Sequence, residues 1–364
     1  MTRFAVEFYR LPGLARQLMI DPMRRGLYLL LLTSCAVETP PPAEDPVLRD
    51  LVDAAVRPFV ETGKYRGLAV GVLHGGRRRV FGYGSPPPDG ATIFEIGSVT
   101  KAFTGILLLQ SGLNLEDPIR KHLPADVKVP SRNGKEITLL QLATHRSGLP
   151  RLPKTLAPKD ASNPYADFLV DDLYHELETS ELESDPGQAY EYSNLGMGLL
   201  GHILALRSGN SYEQLVIERI CRPLGMGDTR IALTPDQKRR LAPGHLSSGA
   251  VAPNWDLPGL AGAGALRSTA DDMLRFLDAN LGDRYDGAHV RRFDVGEGLS
   301  IGLGWHLLPY QGATIVWHNG GTGGYHSFAG FVKRTRTAVV VLGNSTTETD
   351  AIGVSLLGLL QNVR

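Results

Sequence analysis

The sequence predicts an α/β fold: one α/β domain assembled from both ends of the chain and interrupted by a mostly helical insertion. Three observations carry this. Apolar runs of strand length occur between residues 68 and 83 and return after residue 298. Between them, from about Ser111 to Asn280, apolar residues recur at helical spacing and are broken by Gly and Pro. Amphipathic helices flank the strand-bearing parts at both ends, so sheet and helix layers have apolar faces to bury against each other. With 42% hydrophobic and 21% charged residues among 364, wholesale disorder is excluded. The 38 Lys and Arg balance the 38 Asp and Glu. Neutrality removes the long-range attraction that a nucleic-acid binder uses, and it fits a small substrate better.

At the N-terminus, the basic pair Arg24-Arg25 precedes a short apolar run from Leu27, which ends in Leu32-Thr33-Ser34-Cys35. That order is the architecture of a secretory signal. The run is far too short to span a bilayer. Leu-Thr-Ser-Cys resembles a bacterial lipobox, which implies export to the periplasm or cell envelope, lipidation of Cys35 and membrane anchoring there. Met23 then reads as the start, with Met1 to Pro22 belonging to no fold. Val37 to Pro46, rich in Pro, Glu, Ala and Asp, reads as a tether. Residues 1–46 are thus an upstream extension, signal and tether; 47–110 with 285–364 form the α/β domain; 111–284 form the insertion.

Leu48, Leu51, Val52, Ala55, Val56 and Phe59 line one face of a helix over Leu48 to Val60. Leu68 to Leu73 and Arg78 to Tyr83 flank Gly75-Gly76 and read as a hairpin. In the insertion, Gly196 to Arg207 and Tyr212 to Ile220 are the clearest helices. Ser268-Thr269-Ala270-Asp271 opens another, ahead of Met273, Leu274 and Leu277. Strands are expected at Gly304 to Pro309, Thr314 to Trp317, Ser327 to Val332 and Thr337 to Leu342, followed by a helix over Asp350 to Val363.

Three motifs carry chemistry. Ser98-Val99-Thr100-Lys101 opens an apolar helix, and a spacing of three places the Lys101 ammonium within reach of the Ser98 hydroxyl. Burial there lowers a lysine pKa and makes it a base. Of the nine lysines, only Lys101 has a serine three residues before it. Tyr192-Ser193-Asn194 is the one Tyr-x-Asn in the chain. Its phenol can shuttle a proton if a neighbouring cation lowers its pKa, and Asn194 offers a donor and an acceptor to a substrate amide. The plainer reading is a core tyrosine beside a capping asparagine. His318-Asn319-Gly320-Gly321 follows a strand, and its glycines admit close backbone approach and an N–H for an oxyanion.

Taken together and in this order, the motifs resemble the serine β-lactamase and penicillin-binding protein family, especially its class C branch. The resemblance runs from about Val47 to Val363. It includes the connecting segments Thr138 to Pro150 (TLLQLATHRSGLP), Tyr192 to Gly201 (YSNLGMGLLG) and Gly262 to Met273 (GAGALRSTADDM). It implies an antiparallel sheet flanked by helices, with the active site between the α/β domain and the helical insertion. It also implies an acylated Ser98, a proton-transfer pair of Lys101 and Tyr192, and substrate binding by Asn194, His318, Asn319 and Gly320. The N–H groups of Ser98 and Gly321 would form the oxyanion hole. The implied substrates are β-lactams, D-Ala-D-Ala peptides or both, with no cofactor, no nucleic-acid partner and a monomeric state. An esterase using the same serine and a non-hydrolysing β-lactam sensor are the alternatives. The third motif departs from the lysine form, because His318 stands where class C enzymes have lysine. An imidazolium at 318 is expected to recognise the substrate carboxylate, against the simpler reading that it packs beside Trp317.

Other signals are weaker. Gly298-Leu299-Ser300-Ile301-Gly302 matches the hydrolase nucleophile elbow, yet a strand-like run rather than a helix follows it. His175-Glu176 lacks a second histidine, no acidic or histidine cluster has metal-ligand spacing, and no metal is expected. Arg77 to Arg79 read as an exposed strand edge, and Cys221 as a small core residue.

Overall fold

The computed structural model describes residues 46–362. The signal, the tether and Cys35 lie outside the described residues. The chain divides into two compact units, Met1–Leu51 and Val52–Arg364. Of the first, the described part is the opening of helix α1 (Pro46–Val60). Everything below concerns the second.

After α1 come β1 (Gly67–His74) and β2 (Arg77–Gly84). They are joined through Gly75 and Gly76, both at positive φ, which a side-chain-bearing residue adopts only at a cost. The hairpin is the one expected from sequence. β1 is buried along nearly its whole length, as a continuous apolar run in a sheet covered on both faces must be. β2 alternates and ends the sheet, with Arg77 and Arg78 exposed at its start.

Next are β3 (Ile93–Glu95), a 3₁₀ turn over Gly97–Val99 and α2 (Thr100–Gln110). The middle of the chain supplies α3 (Leu139–Ala143), α4 (Val170–Thr179), α5 (Asn194–Ser208), α6 (Tyr212–Val216), α7 (Pro235–Arg240) and α8 (Ala261–Gly264). Then follow β4 (Arg267–Thr269), paired with β3, and α9 (Ala270–Leu281). The C-terminal part adds β5 (Phe293–Gly296), β6 (Leu299–Ile301), β7 (His306–Tyr310), β8 (Ala313–Gly321), β9 (His326–Val332), β10 (Thr337–Gly343) and α10 (Asp350–Leu360).

The main sheet has eight strands in the order β2-β1-β10-β9-β8-β7-β6-β5, every pairing antiparallel. β1 pairs with β10, so strands from the two ends of the chain meet within the sheet, one strand in from its β2 edge. Gly71, Val340 and Ala329 are cross-strand neighbours and share a face. A Cβ at Gly71 would stand 3.0 Å from Leu274 of α9, which places α9 on that face. Phe328 points to the other face, where its ring lies against Gly353 of α10. Helices therefore cover both sides.

Three expectations shift. Ser98 sits in the 3₁₀ turn just before α2 rather than inside that helix. The helix over Tyr212 to Ile220 gives way to a π turn at Ile217–Cys221. β3, β4, β5 and β6, of three or four residues each, are too short to show a period in sequence. The helix at 270 begins as expected, with the Thr269 hydroxyl accepting the Asp272 N–H at 3.1 Å. It packs on β1, β9 and β10.

Candidate active site

Every residue of α2 from Thr100 to Leu108 is buried, the result of an apolar sequence on all sides. Two backbone contacts hold the helix. A Cβ at Gly105 would fall 2.0 Å from the Leu303 carbonyl, and one at Gly304 would fall 2.2 Å from that of Lys101. Lys101 is thereby fixed in the interior with no exposed surface. Its Nζ lies 2.9 Å from Ser98 Oγ, 2.8 Å from Asn194 Oδ1 and 2.7 Å from the Ala263 carbonyl. Burial, and next the charge of Arg151, hold its pKa well below the ordinary lysine value. As an ammonium, Nζ donates to all three oxygens. As an amine it donates to two carbonyl oxygens, and its lone pair faces the Ser98 hydroxyl.

Tyr192 and Asn194 come from the start of α5. Ser193 is the cap of that helix, its hydroxyl accepting the Gly196 N–H at 2.8 Å. Asn194 is left free for Lys101, so it is not the cap. The Tyr192 phenol lies close enough to Ser98 for the serine to favour its ionised form. Burial raises the phenol to about 12, outweighing Ser98 and the Arg151 charge, which pull it down. The cation-lowered phenol expected from sequence is thus corrected: Tyr192 holds its proton at neutral pH. The Lys101 ammonium lies 4.8 Å from the ring centre and the Arg151 guanidinium 4.9 Å.

β8 runs past the 3₁₀ turn that carries Ser98. A Cβ at Gly320 would lie 2.1 Å from the Ile96 carbonyl and 2.8 Å from Ser98 N, and one at Gly97 would lie 2.8 Å from Gly321 N. Only glycines permit this approach, which sets the N–H groups of Ser98 and Gly321 at the mouth of one cleft. Gly97, Ser98, Tyr165, Asn194, Trp255, Leu260, Gly321 and Thr322 line that cleft. Trp255 is held by a buried ion pair, since Glu95 accepts its N–H at 3.0 Å and also meets Arg267 at 3.1 Å.

Strand alternation separates His318 from Asn319. His318 is 1% exposed, stacks on His306 with ring centres 4.9 Å apart, and lies 6.3 Å from the Tyr192 ring. Burial, then His306 and Lys101, push its pKa well below 6.5. The expectation of an imidazolium at 318 is therefore corrected: the ring is neutral, donating from Nδ1 to the Asn319 carbonyl at 2.6 Å. Asn319 points to the opposite face and donates to Asp350 Oδ2 at 2.6 Å, so its side chain is not brought to Ser98.

The remaining signals resolve structurally. Ser300 is a β6 residue donating to Asp294 at 2.9 Å, with no helix after it. Glu176 accepts the N–H groups of Lys154 and Thr155 at 3.0 and 2.9 Å and fastens a loop. Cys221 is 1% exposed, its thiol pushed up to about 12 by burial. Among the described residues no group of three or more His, Cys, Asp or Glu is arranged to hold a metal. No helix among them is long and apolar enough to cross a membrane. An apolar recess of about 460 Å³ along α5, lined by His202, Leu206 and Pro258, shares no residue with the Ser98 cleft.

Two parts of the site were not identified as site residues from sequence. His145, at φ +56°, accepts the Ser193 N–H on Nδ1 at 3.1 Å and the Glu191 N–H on its carbonyl at 2.7 Å, clamping the tyrosine motif. Arg151 accepts the Asn194 N–H on its carbonyl at 2.9 Å. Both lie in the segment Thr138 to Pro150 or directly after it, and that adjacency was the available signal.

Comparison with known proteins agrees with this geometry. The Beta-lactamase family model matches residues 52–360. The D-alanyl-D-alanine-carboxypeptidase/endopeptidase AmpH of Escherichia coli strain K12 is 31% identical over 357 residues, covering 88% of this chain and 91% of that protein. A beta-lactamase of the same organism is 27% identical, covering 87% and 93%. The crystal structure of a beta-lactamase/D-alanine carboxypeptidase from Yersinia pestis superposes with a TM-score of 0.77 at 24% identity, covering 88% of this chain and all of that one. With a serine, a buried lysine and a tyrosine converging in this fold, the chain belongs to the serine β-lactamase and DD-peptidase family and is a serine hydrolase.

Proposed function

We propose that this protein is an acyl-hydrolase that forms an acyl-enzyme at Ser98 with β-lactams, D-Ala-D-Ala peptides or both. The observation that carries the proposal is the placement of buried Lys101 on Ser98 Oγ, Asn194 Oδ1 and the Ala263 carbonyl, with Tyr192 beside the same group, its ring centre 4.8 Å from the lysine nitrogen. Ser98 Oγ attacks the carbonyl carbon while its proton passes to the Lys101 amine. The oxyanion is met by the N–H groups of Ser98 and Gly321. Tyr192 gives its proton to the leaving nitrogen as the C–N bond breaks, and Lys101 returns a proton to Tyr192. Asn194, its Oδ1 held by Lys101, has Nδ2 left for the substrate amide. Water then attacks the ester, its proton passing through Tyr192 to the Lys101 amine; the bond from the acyl carbon to Ser98 Oγ breaks, Lys101 returns the proton to Oγ, and the acid leaves. Tyr192 and Asn194 come from the helical middle of the chain, Ser98 and Gly321 from its two ends, so the cleft lies between α/β domain and insertion.

A second reading is favoured by one observation: β8 brings no positive charge to the cleft, because His318 is neutral and buried and Asn319 faces Asp350. That suits an esterase acting on uncharged acyl groups. The test is covalent labelling with a fluorescent penicillin, followed by turnover of a chromogenic cephalosporin, a D-Ala-D-Ala peptide and a p-nitrophenyl ester. Ser98→Ala is expected to abolish labelling and Ser300→Ala to leave it; the reverse would move the nucleophile to the 298–302 segment. Ester turnover alone would select the esterase, and a single stoichiometric burst a sensor.

The protein is further proposed to be exported and anchored by lipid at Cys35, on the strength of the lipobox-like tetrad after a signal-like run. Cys35→Ser should release it from membranes. Wild type recovered in the soluble fraction of a lipoprotein-processing bacterium, with Met1 intact, would refute this.

A further inference from the structure

Ser98, Asn194 and Gly321 share their cleft with an apolar wall of Tyr165, Trp255, Leu257 and Leu260, and none of the residues lining it carries a charge. Trp255 is fixed in that wall through both its main chain and its ring. Its N–H donates to Glu95 Oε1 at 3.0 Å, and its carbonyl accepts from Arg267 Nη2 at 3.0 Å. Glu95 and Arg267 are cross-strand partners of β3 and β4 and form a buried ion pair at 3.1 Å. The strand pair that leads into the Ser98 turn therefore also sets the Trp255 backbone. The indole Nε1 donates to the Ser162 carbonyl at 3.0 Å, and the ring meets Tyr165 edge-on with centres 5.3 Å apart. A Cβ at Gly323 would fall 2.6 Å from Nε1. Beside it, Asp256 and Asn163 exchange hydrogen bonds at 2.9 and 3.0 Å. The ring thus spans from the 162–165 loop to the turn between β8 and β9, two residues beyond Gly321.

We propose that Trp255 is a specificity-determining residue that takes a flat, uncharged apolar group on the acyl part of the substrate, making arylacyl donors the preferred class. Which part of the substrate meets the wall follows from the polar groups. Tyr192, on the leaving-group side, does not line this cleft, whereas Asn194, which takes the amide of the acyl part, does. The group carried by that amide accordingly lies along Trp255. The cleft encloses only about 30 Å³, room for a water or two, so an aromatic ring seats against the indole rather than in a closed hole. A wall already held by hydrogen bonds and an ion pair has little freedom left to lose when it is covered. The inference deepens the acyl-enzyme reading of Ser98 and rests on it.

The test uses two matched pairs of acyl donors: benzylpenicillin against its 6-acetamido analogue, and p-nitrophenyl phenylacetate against p-nitrophenyl acetate. Within each pair only a phenyl ring differs. The readout is the ratio of kcat/KM with the ring to that without it, in wild type, Trp255→Ala, Trp255→Phe and Gly323→Ala. Any general damage to Ser98 chemistry acts on both members of a pair and cancels, so a merely structural role for Trp255 leaves the ratio unmoved. The ratio should fall roughly 10- to 100-fold in Trp255→Ala, the order of one buried aromatic group left uncovered. Trp255→Phe, which keeps a ring, should stay within about threefold of wild type. Gly323→Ala, whose methyl group displaces the indole, should lower the ratio part of the way. Ratios within about twofold of wild type in Trp255→Ala, or in Gly323→Ala should the first not fold, would overturn the proposal while leaving the Ser98 reading in place. Failure of both pairs to react at Ser98, read as adduct mass or as turnover lost in Ser98→Ala, would overturn the reading of the site, and this inference with it.

Discussion

Behind Tyr192 three imidazoles, His145, His306 and His318, are buried together, and each keeps one ring nitrogen without a hydrogen-bond partner. A charged ring there would sit beside Lys101 with no anion to meet it, which is why burial leads the causes that depress all three. The arrangement decides what a substitution at 318 does. His318→Lys puts an ammonium into a space already stacked against His306 and facing Lys101, and an uncompensated buried charge costs about 3 kcal/mol. The expected result is a lower Tm with no improvement in KM for an anionic cephalosporin. A clear fall in that KM at pH 8 would show that the 318 side chain does reach the substrate.

The nucleophile turn and β8 are set by backbone packed on backbone. Gly320 has no room for a Cβ between the Ile96 carbonyl, Ser98 N and the Ser327 hydroxyl. None of these is the end of a flexible side chain that swings aside, except the serine hydroxyl, which is itself bonded to the Ile96 carbonyl at 2.8 Å. Gly320→Ala is expected to push β8 off the turn and separate the N–H groups of Ser98 and Gly321, which are proposed to meet the oxyanion. Penicillin labelling should fall at least 100-fold, the order of losing one oxyanion donor, while far-UV circular dichroism stays near wild type. Labelling at the wild-type rate would mean that β8 does not hold the oxyanion. A similar contact sets the lysine: Gly201 of α5 and Gly262 of α8 each exclude a Cβ by about 2.7 Å contacts to the other, which keeps the neighbouring Ala263 carbonyl on Nζ.

Across the molecule the buried histidines make folding sensitive to acid. Beyond the three at the site, His202, His289 and His326 are also depressed by burial, His326 and His306 to about 4 and His289 to about 3. All are neutral in the folded protein while the unfolded chain takes up their protons near pH 6.5. Their contribution is complete above about pH 6.5 and is lost as pH falls toward the folded values, at up to about 1.4 kcal/mol per pH unit for each fully buried ring. Asp350 acts oppositely. Burial raises it to about 7, so the stability tied to its protonated form is lost as pH rises through 7. Burial raises Asp272 as well, and two carboxyls do not offset six imidazoles. Urea unfolding at pH 7.5 and pH 5.0 should show a loss of several kcal/mol at the lower pH; equal stabilities would contradict it.

The sequence by itself determined the helices and strands whose period is long enough to read, and the residue types of the site. β1 and β10 are continuous apolar runs, α2 is apolar all round, and Ser98 and Lys101 lie one turn apart, so their meeting is a local matter of helix geometry. Sequence order alone also made the Tyr192 and His318 segments legible as partners of that serine. What only the tertiary structure decided is which way each side chain points and how wet it is. Strand alternation in β8 sends Asn319 to Asp350 and His318 inward, and burial, a property of distant residues packed around a group, sets the charge of His318, Tyr192 and Lys101. Arg151 and His145 had no motif to mark them, because the contacts that tie them to the start of α5 arise from distances across the fold rather than from spacing along the chain.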